Sequence, residues 1–170
     1  MTSLLKPSLD HYDAWAECVR DYERFEDMNG SGWWWLEDFG PDLDSCRRMV
    51  AKARELAVAP PEGLVVSDCY WVAEQAAVIG FLMVRHSLDN EFLRTQGGHI
   101  GYSIRPSYRR QGHASRALGL ALDRARELGL DRVLLTCLLD NLASARTIES
   151  QGGVFESVYD DKRRYWITLK

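Results

Sequence analysis

The sequence predicts an α/β domain with a mixed, mostly antiparallel sheet of six or seven strands, flanked by helices and containing a parallel pair at its centre. Three observations lead to this class. Helical periodicity dominates the first 60 residues, and an antiparallel hairpin follows from Tyr70. A strongly amphipathic helix then lies between two strands, which implies a parallel pairing with a right-handed crossover. The 170 residues, 46% of them hydrophobic, suit one domain over 1–170.

The first part, residues 1–60, is expected to be helical. Apolar residues recur at helical spacing after Pro7 and predict a helix running to about Asp27. A second helical pattern spans about Asp42–Ala57. Between them, Trp33, Trp34 and Trp35 are consecutive, so they cannot all face one way, and we expect at least one in a cleft or exposed.

Residues 65–170 are expected to form the sheet and its covering helices. The hairpin strands are Tyr70–Ala73 and Val78–Arg85, and Pro106 ends a third strand at His99–Ile104. After Gly112 an apolar stripe predicts a long helix that stops at Gly129. The remaining predicted elements are a buried strand at Arg132–Leu138, a helix at Leu142–Gln151, and strands at Val154–Tyr159 and Tyr165–Thr168.

Composition disfavours several function classes. The formal net charge is -4, so the chain lacks the overall basic field that gathers nucleic acid or anionic lipid. No stretch approaches the length of a membrane span, and we expect a cytoplasmic protein. The four cysteines are widely spaced and are interpreted as reduced packing residues, and no histidine or cysteine spacing predicts a metal site.

The most informative stretch is Arg109-Arg110-Gln111-Gly112-His113-Ala114, which lies between a strand and an amphipathic helix. A glycine lets the backbone approach a ligand closely, and the free amides of a first helical turn attract anions. Arg109 and Arg110 add positive charge for phosphate. The pattern is neither a nucleotide-binding P-loop nor a dinucleotide fingerprint, so the sequence predicts a different phosphate site.

Arg109-x-x-Gly112-x-Ala114 resembles the [QR]-x-x-G-x-[GA] pyrophosphate loop of the GNAT acyltransferase superfamily, and the order of elements over residues 65–170 is similar to that family's. The resemblance implies that the two central parallel strands splay and that the pantetheine of acetyl-CoA enters the gap. It implies an acceptor side in residues 1–60. The cofactor-binding residues implied are Ser103, Ile104, Arg105, Arg109, Arg110, Gln111, Gly112, His113, Ala114, Ser115 and Asn141.

Two residues are candidates for catalysis. His99 stands where many relatives have a carboxylate, and an imidazole could take the proton of the attacking amine; a histidine merely satisfied at a strand end is the alternative. The tyrosine that often protonates the leaving thiolate in this family would fall at Ile148. Ser144 fits the serine that relatives resembling ribosomal-protein N-terminal acetyltransferases use instead, or it is simply a small residue in a helix.

The expected function is therefore transfer of an acetyl group from acetyl-CoA to a primary amine by direct attack. Two alternatives stay open: a non-catalytic acyl-CoA sensor, and an acyltransferase that uses another acyl-CoA. The acceptor amine is open, and so is a homodimer.

Overall fold

The computed structural model describes residues 1–170. The chain forms seven strands and four α-helices. The strands are β1 (Thr2–Leu5), β2 (Ser67–Glu74), β3 (Ala77–Arg85), β4 (Ile100–Ile104), β5 (Arg132–Leu138), β6 (Val154–Tyr159) and β7 (Lys162–Thr168). The helices are α1 (Tyr12–Asp21), α2 (Leu43–Val58), α3 (His113–Glu127) and α4 (Leu142–Ser150).

The strands form two antiparallel sheets that meet at β4 and β5. The first sheet has the order β1-β2-β3-β4, and the second has the order β5-β7-β6. The two sheets are joined where β4 begins, because the backbone N–H of His99 donates to the carbonyl of Leu134 at 2.8 Å. No ladder continues from there, so β4 and β5 separate toward their carboxyl ends. This is the splayed central pair that the family resemblance implied.

Alternation along β3 and β4 gives the first sheet two different faces. Leu82, Val84 and Ile104 belong to a core that packs under α3 and α4. Phe81 belongs to a second core, on the opposite face, with α1 and α2. Because successive strand residues point to opposite faces, Met83, Arg85, Gly101 and Ser103 also lie toward the α1 side.

Several boundaries differ from the sequence expectations. The first helix ends at Asp21 rather than about Asp27, because Tyr22 adopts an extended backbone. The strand β1 was not expected. The strand β7 begins at Lys162 rather than Tyr165, and the sequence pattern misses its first three residues because they are charged. The strands β2 and β3 and helices α2 and α4 agree with expectation to within a few residues, and β5 agrees at both ends.

None of the helices is both long enough and apolar enough to cross a membrane.

Candidate active site

A cavity of about 1060 Å³ begins at the gap between β4 and β5 and runs across the first sheet under the loop that follows α1. One part of its lining comes from the carboxyl ends of β4 and β5 and from the amino ends of α3 and α4. The other part comes from the loop after α1, the end of β3 and the segment before β4. The cavity therefore joins the expected cofactor region to the expected acceptor region.

The backbone of the loop before α3 has the geometry that anion sites use. The amide groups of Arg110 through Ser115 donate no hydrogen bond within the protein, and the first helical bond of α3 joins Arg116 N to Gly112 O at 3.1 Å. Arg110 and Gly112 both have positive φ, at 62° and 81°. Successive amides in such a conformation surround a concavity that accepts anions, and the helix dipole adds to the attraction.

Side chains around this loop divide into two groups. Arg109 and Arg110 line the cavity, and Arg109 is oriented by a 2.8 Å bond from its Nε to the carbonyl of Ile104. The side chains of the other polar residues are used within the protein. His113 Nδ1 lies 2.9 Å from the hydroxyl of Thr2, Ser115 accepts from Gln151 at 2.8 Å, and Gln111 donates weakly to Ser107 at 3.5 Å.

Of the three residues expected to contact the pantetheine, two line the cavity and one does not. Ser103 and Ile104 line the cavity, although the Ser103 hydroxyl is held between Tyr22 and Asn29. Arg105 does not line it. Its guanidinium turns away to ion pairs with Glu17 and Asp21 of α1, and its backbone N–H donates to β3, so the expected pantetheine contact at Arg105 is not supported.

The hydroxyl groups of Tyr102 and Ser144 lie together at the amino end of α4. The Oγ of Ser144 lies 3.0 Å from the Oη of Tyr102, and both residues line the cavity. Burial raises the pKa of the Tyr102 phenol to about 12, so this group stays protonated at neutral pH. Asn141 caps the helix by accepting from Ser144 N at 3.1 Å, which leaves its amide NH₂ without a partner inside the protein.

His99 has a different position from the one expected of a general base. Its ring is buried, is absent from the cavity lining, and accepts a hydrogen bond from the backbone N–H of Leu134 at its Nδ1, at 2.9 Å. This bond requires the neutral tautomer with the proton on Nε2, which has no free lone pair for an amine's proton. Burial and the nearby Arg85 guanidinium lower the pKa of His99 to about 4. The geometry therefore does not support His99 as the base. Instead, the His99 side chain bonds the start of β4 to β5, at the point where the two strands begin to separate.

Replacing His99 should affect stability rather than amine deprotonation. His99→Ala leaves the buried Leu134 amide without an acceptor and should cost roughly 1–3 kcal/mol, whereas His99→Asn keeps an acceptor at the δ position. In the parent, the folded state resists protonation of His99, because its pKa there is about 4 rather than 6.5. The free energy of unfolding should therefore fall as the pH drops from about 6.5 toward about 4, and neither variant should show this fall. Urea unfolding at pH 7 and pH 5 measures both effects. An acid limb of the pH–rate profile that disappears in His99→Asn would return His99 to catalysis.

The acceptor side of the cavity combines aromatic walls with few charges. Trp33, Trp34 and Trp35 all line it, with Trp34 46% exposed and the other two partly buried, as expected of a consecutive run. Glu26 and Asp27 are the carboxylates in the lining, and Asp27 is paired with Arg24. The sequence did not single out these two acids, because only the fold brings the loop after α1 over β4.

Comparison with known proteins assigns the chain to a family. Residues 3–154 match the family model described as acetyltransferase (GNAT) domain. The chain therefore belongs to the GNAT acetyltransferases. No curated protein sequence is significantly similar to it.

Solved structures share the fold at low sequence identity. The Mycobacterium smegmatis RimJ structure, in complex with CoA-disulfide, superposes with a TM-score of 0.74 at 16% identity, covering 98% of this chain and 81% of that one. RimL, a ribosomal L7/L12 alpha-N-protein acetyltransferase in complex with CoA, gives 0.70 at 18% identity, covering 98% and 93%. The yncA structure from Salmonella typhimurium, with its cofactor acetyl-CoA, gives 0.62 at 14% identity, covering 99% and 94%. The fold is thus the GNAT fold.

Proposed function

We propose that this protein transfers the acetyl group of acetyl-CoA directly to a primary amine. The observation that carries the proposal is the continuity of one cavity from the free amides before α3, past the Tyr102–Ser144 hydroxyl pair, to the tryptophan-lined side. Such a cavity can hold a diphosphate at one end and an acceptor at the other, with the reacting centre between them. The cofactor end is the better defined of the two.

The pyrophosphate would lie against the unpaired amides from Arg110 to Ser115, with the guanidinium groups of Arg109 and Arg110 beside it. Backbone amides bind phosphate oxygens without losing side-chain entropy, and arginine adds charge-assisted bonds. The pantetheine arm would then enter the gap beyond Ile104, where Asn141 has a free amide donor. The contacts of Gln111, Gly112, His113, Ala114 and Ser115 with the cofactor would come from their backbone, since the polar side chains among them have partners within the protein.

The chemical step would be nucleophilic attack by the neutral amine on the thioester carbonyl. The nitrogen–carbon bond forms, the carbon–sulfur bond breaks, and the electron pair leaves on sulfur. Ser144 would donate its hydroxyl proton toward the thiolate while Tyr102 supplies a proton to Ser144, so the pair acts as a short relay. The surplus proton of the attacking nitrogen would pass to water, and water would return a proton to Tyr102, so that both hydroxyl groups end the cycle protonated.

Two cavity features bear on the amine and on the choice of direct attack. Glu26 has no ion-pair partner within the protein, so its carboxylate can attract an incoming ammonium group. Cys137 lines the cavity but burial raises the pKa of its thiol, which keeps it a weak nucleophile. We therefore propose direct transfer without an acyl-cysteine intermediate.

Thiol release tests the proposed function. The purified protein should release CoA from acetyl-CoA when primary amines are supplied, and mass spectrometry should find the N-acetylated amine in equal amount. Parallel assays with propionyl- and succinyl-CoA address the acyl group. Tight CoA binding without transfer to any amine in a broad panel would favour the acyl-CoA sensor, and transfer only from another acyl-CoA would change the donor.

A further inference from the structure

Arg85 is a cation at the acceptor side of the cavity without an acid to balance it. It is the last residue of β3, and alternation along the strand directs it to the same face as Met83, toward the cavity that both residues line. Its Nη1 donates to the carbonyls of Gly97 and Gly98, at 3.2 Å each. No carboxylate in the protein forms an ion pair with it.

The position of Arg85 is fixed and its remaining donors are free. The two carbonyl bonds hold one edge of the guanidinium, while Nε and Nη2 have no partner within the protein and are not among the buried unsatisfied atoms. A Cβ built on Gly101 would lie 3.8 Å from Nη1, so the group lies beside Gly101, near the start of β4. Two adjacent donors in one plane match the two oxygens of a carboxylate.

The positive charge of Arg85 costs free energy at this position. Burial lowers its pKa to about 10, and the ionisable group that opposes this effect is the thiol of Cys69, which is itself neutral at pH 7 because burial raises its pKa to about 12. Buried charges are normally paired, and an unpaired one in a cavity is compensated when an anion binds. The acetyl-CoA diphosphate has its own site at α3, so this anion belongs to the acceptor.

The surroundings of Arg85 define the rest of the acceptor. The acceptor side of the cavity has apolar and aromatic lining residues, Met83, Trp33, Trp34, Phe92 and Leu93, together with the polar Asn90 and Gln96 and the carboxylates of Glu26 and Asp27. Phe92 and Trp34 are more than one-third exposed, which leaves their rings available to a ligand. An apolar group in this region would bury surface against them without needing a polar partner.

We propose that Arg85 binds the carboxylate of the acceptor, so that the substrate of this site is a free α-amino acid with an apolar side chain rather than a polyamine or a peptide N-terminus. This inference rests on the proposed function and deepens it. The carboxylate would hold the amino acid over Gly101, with its amine toward the hydroxyl pair and its side chain against the aromatic wall.

The test uses matched ligands that differ only in the carboxylate. N-acetylphenylalanine and N-acetylphenylalaninamide, which resemble the reaction product and its neutral analogue, are titrated into the protein–CoA complex by calorimetry. The acid should bind at least about tenfold more tightly than the amide, as a charge-assisted bond to guanidinium predicts. Arg85→Met should remove this preference and Arg85→Lys should keep part of it. Because the preference is a ratio within one protein, partial loss of folded material in a variant does not alter it.

Arg94→Met serves as the control, since Arg94 follows in the next segment but lies outside the cavity lining, and the acid preference should persist in it. Equal or tighter binding of the amide in the parent, or an unchanged preference in Arg85→Met, overturns the inference. Turnover separates this failure from that of the proposed function. Acetylation of phenylalaninamide and leucinamide as fast as of the free amino acids contradicts the role of Arg85 alone, whereas no acetylation of any amine contradicts the transferase.

Discussion

Gly112→Glu is expected to abolish measurable CoA binding. Gly112 has a φ of 81°, a conformation that strains any side chain, and a Cβ there would come within 2.7 Å of the Arg116 guanidinium. A glutamate would also bring a negative charge to the site of the diphosphate. Together these effects should weaken CoA affinity by roughly a hundredfold or more, measured by calorimetry.

The protein contains a matched control for this substitution at the other end of the same helix. Gly129 has a φ of 78° and open space around it, and it does not line the cavity. Gly129→Glu therefore introduces similar backbone strain and the same charge without touching the phosphate site. CoA affinity should be unchanged in this variant. Equal losses in the two variants would mean that strain or net charge, and not the loop before α3, explains the effect.

Ser144→Ala is expected to lower turnover while leaving the affinity for acetyl-CoA nearly intact. Its hydroxyl is 3.0 Å from Tyr102 and is a weaker acid than a dedicated tyrosine, so a loss of about ten- to a hundredfold in kcat is expected. Tyr102→Phe should produce a similar loss. If the two hydroxyls act as one relay, the double variant should be no slower than the worse single variant.

Ser150→Ala, on the same helix, is the control. Its hydroxyl bonds the carbonyl of Thr147 and faces away from the cavity lining, so its removal should leave kcat unchanged. Additive losses for Ser144→Ala and Tyr102→Phe would show two independent roles. An unaltered kcat in Ser144→Ala would reduce that residue to a helix position and leave Tyr102 or water as the proton source.

Local patterns in the sequence predicted much of the fold. The strand β5 is apolar at five of its seven positions, which is typical of a strand that other elements cover, and its bounds follow from the sequence directly. The helix α3 follows from its stripe and the two flanking glycines. The strand β1 gives no such signal, since its four residues are stabilised by elements far along the chain, through pairing with β2 and contacts with α3. The first residues of β7 are charged, so the sequence pattern does not reveal that they pair with other strands.

The same distinction between local patterns and distant contacts applies to the residues of the site. The loop before α3 is predictable because its function resides in consecutive backbone amides. The direction of a side chain is not, because distant elements decide it: Arg105 turns to the acids of α1, and His99 turns to the backbone of β5. Arg85 shows an intermediate case. Alternation along β3 places it on the face of Met83, but only the packed structure reveals that no carboxylate accompanies it.

A crystal structure of the protein with bound CoA is the most direct test of the acetyl-CoA site. We predict the diphosphate against the backbone amides from Arg110 to Ser115, the pantetheine in the gap between β4 and β5, and the sulfur within hydrogen-bonding reach of the Ser144 hydroxyl. Tyr102 should keep its contact with Ser144 in that complex. A diphosphate bound elsewhere, or a sulfur that ends away from the Tyr102–Ser144 pair, would contradict it.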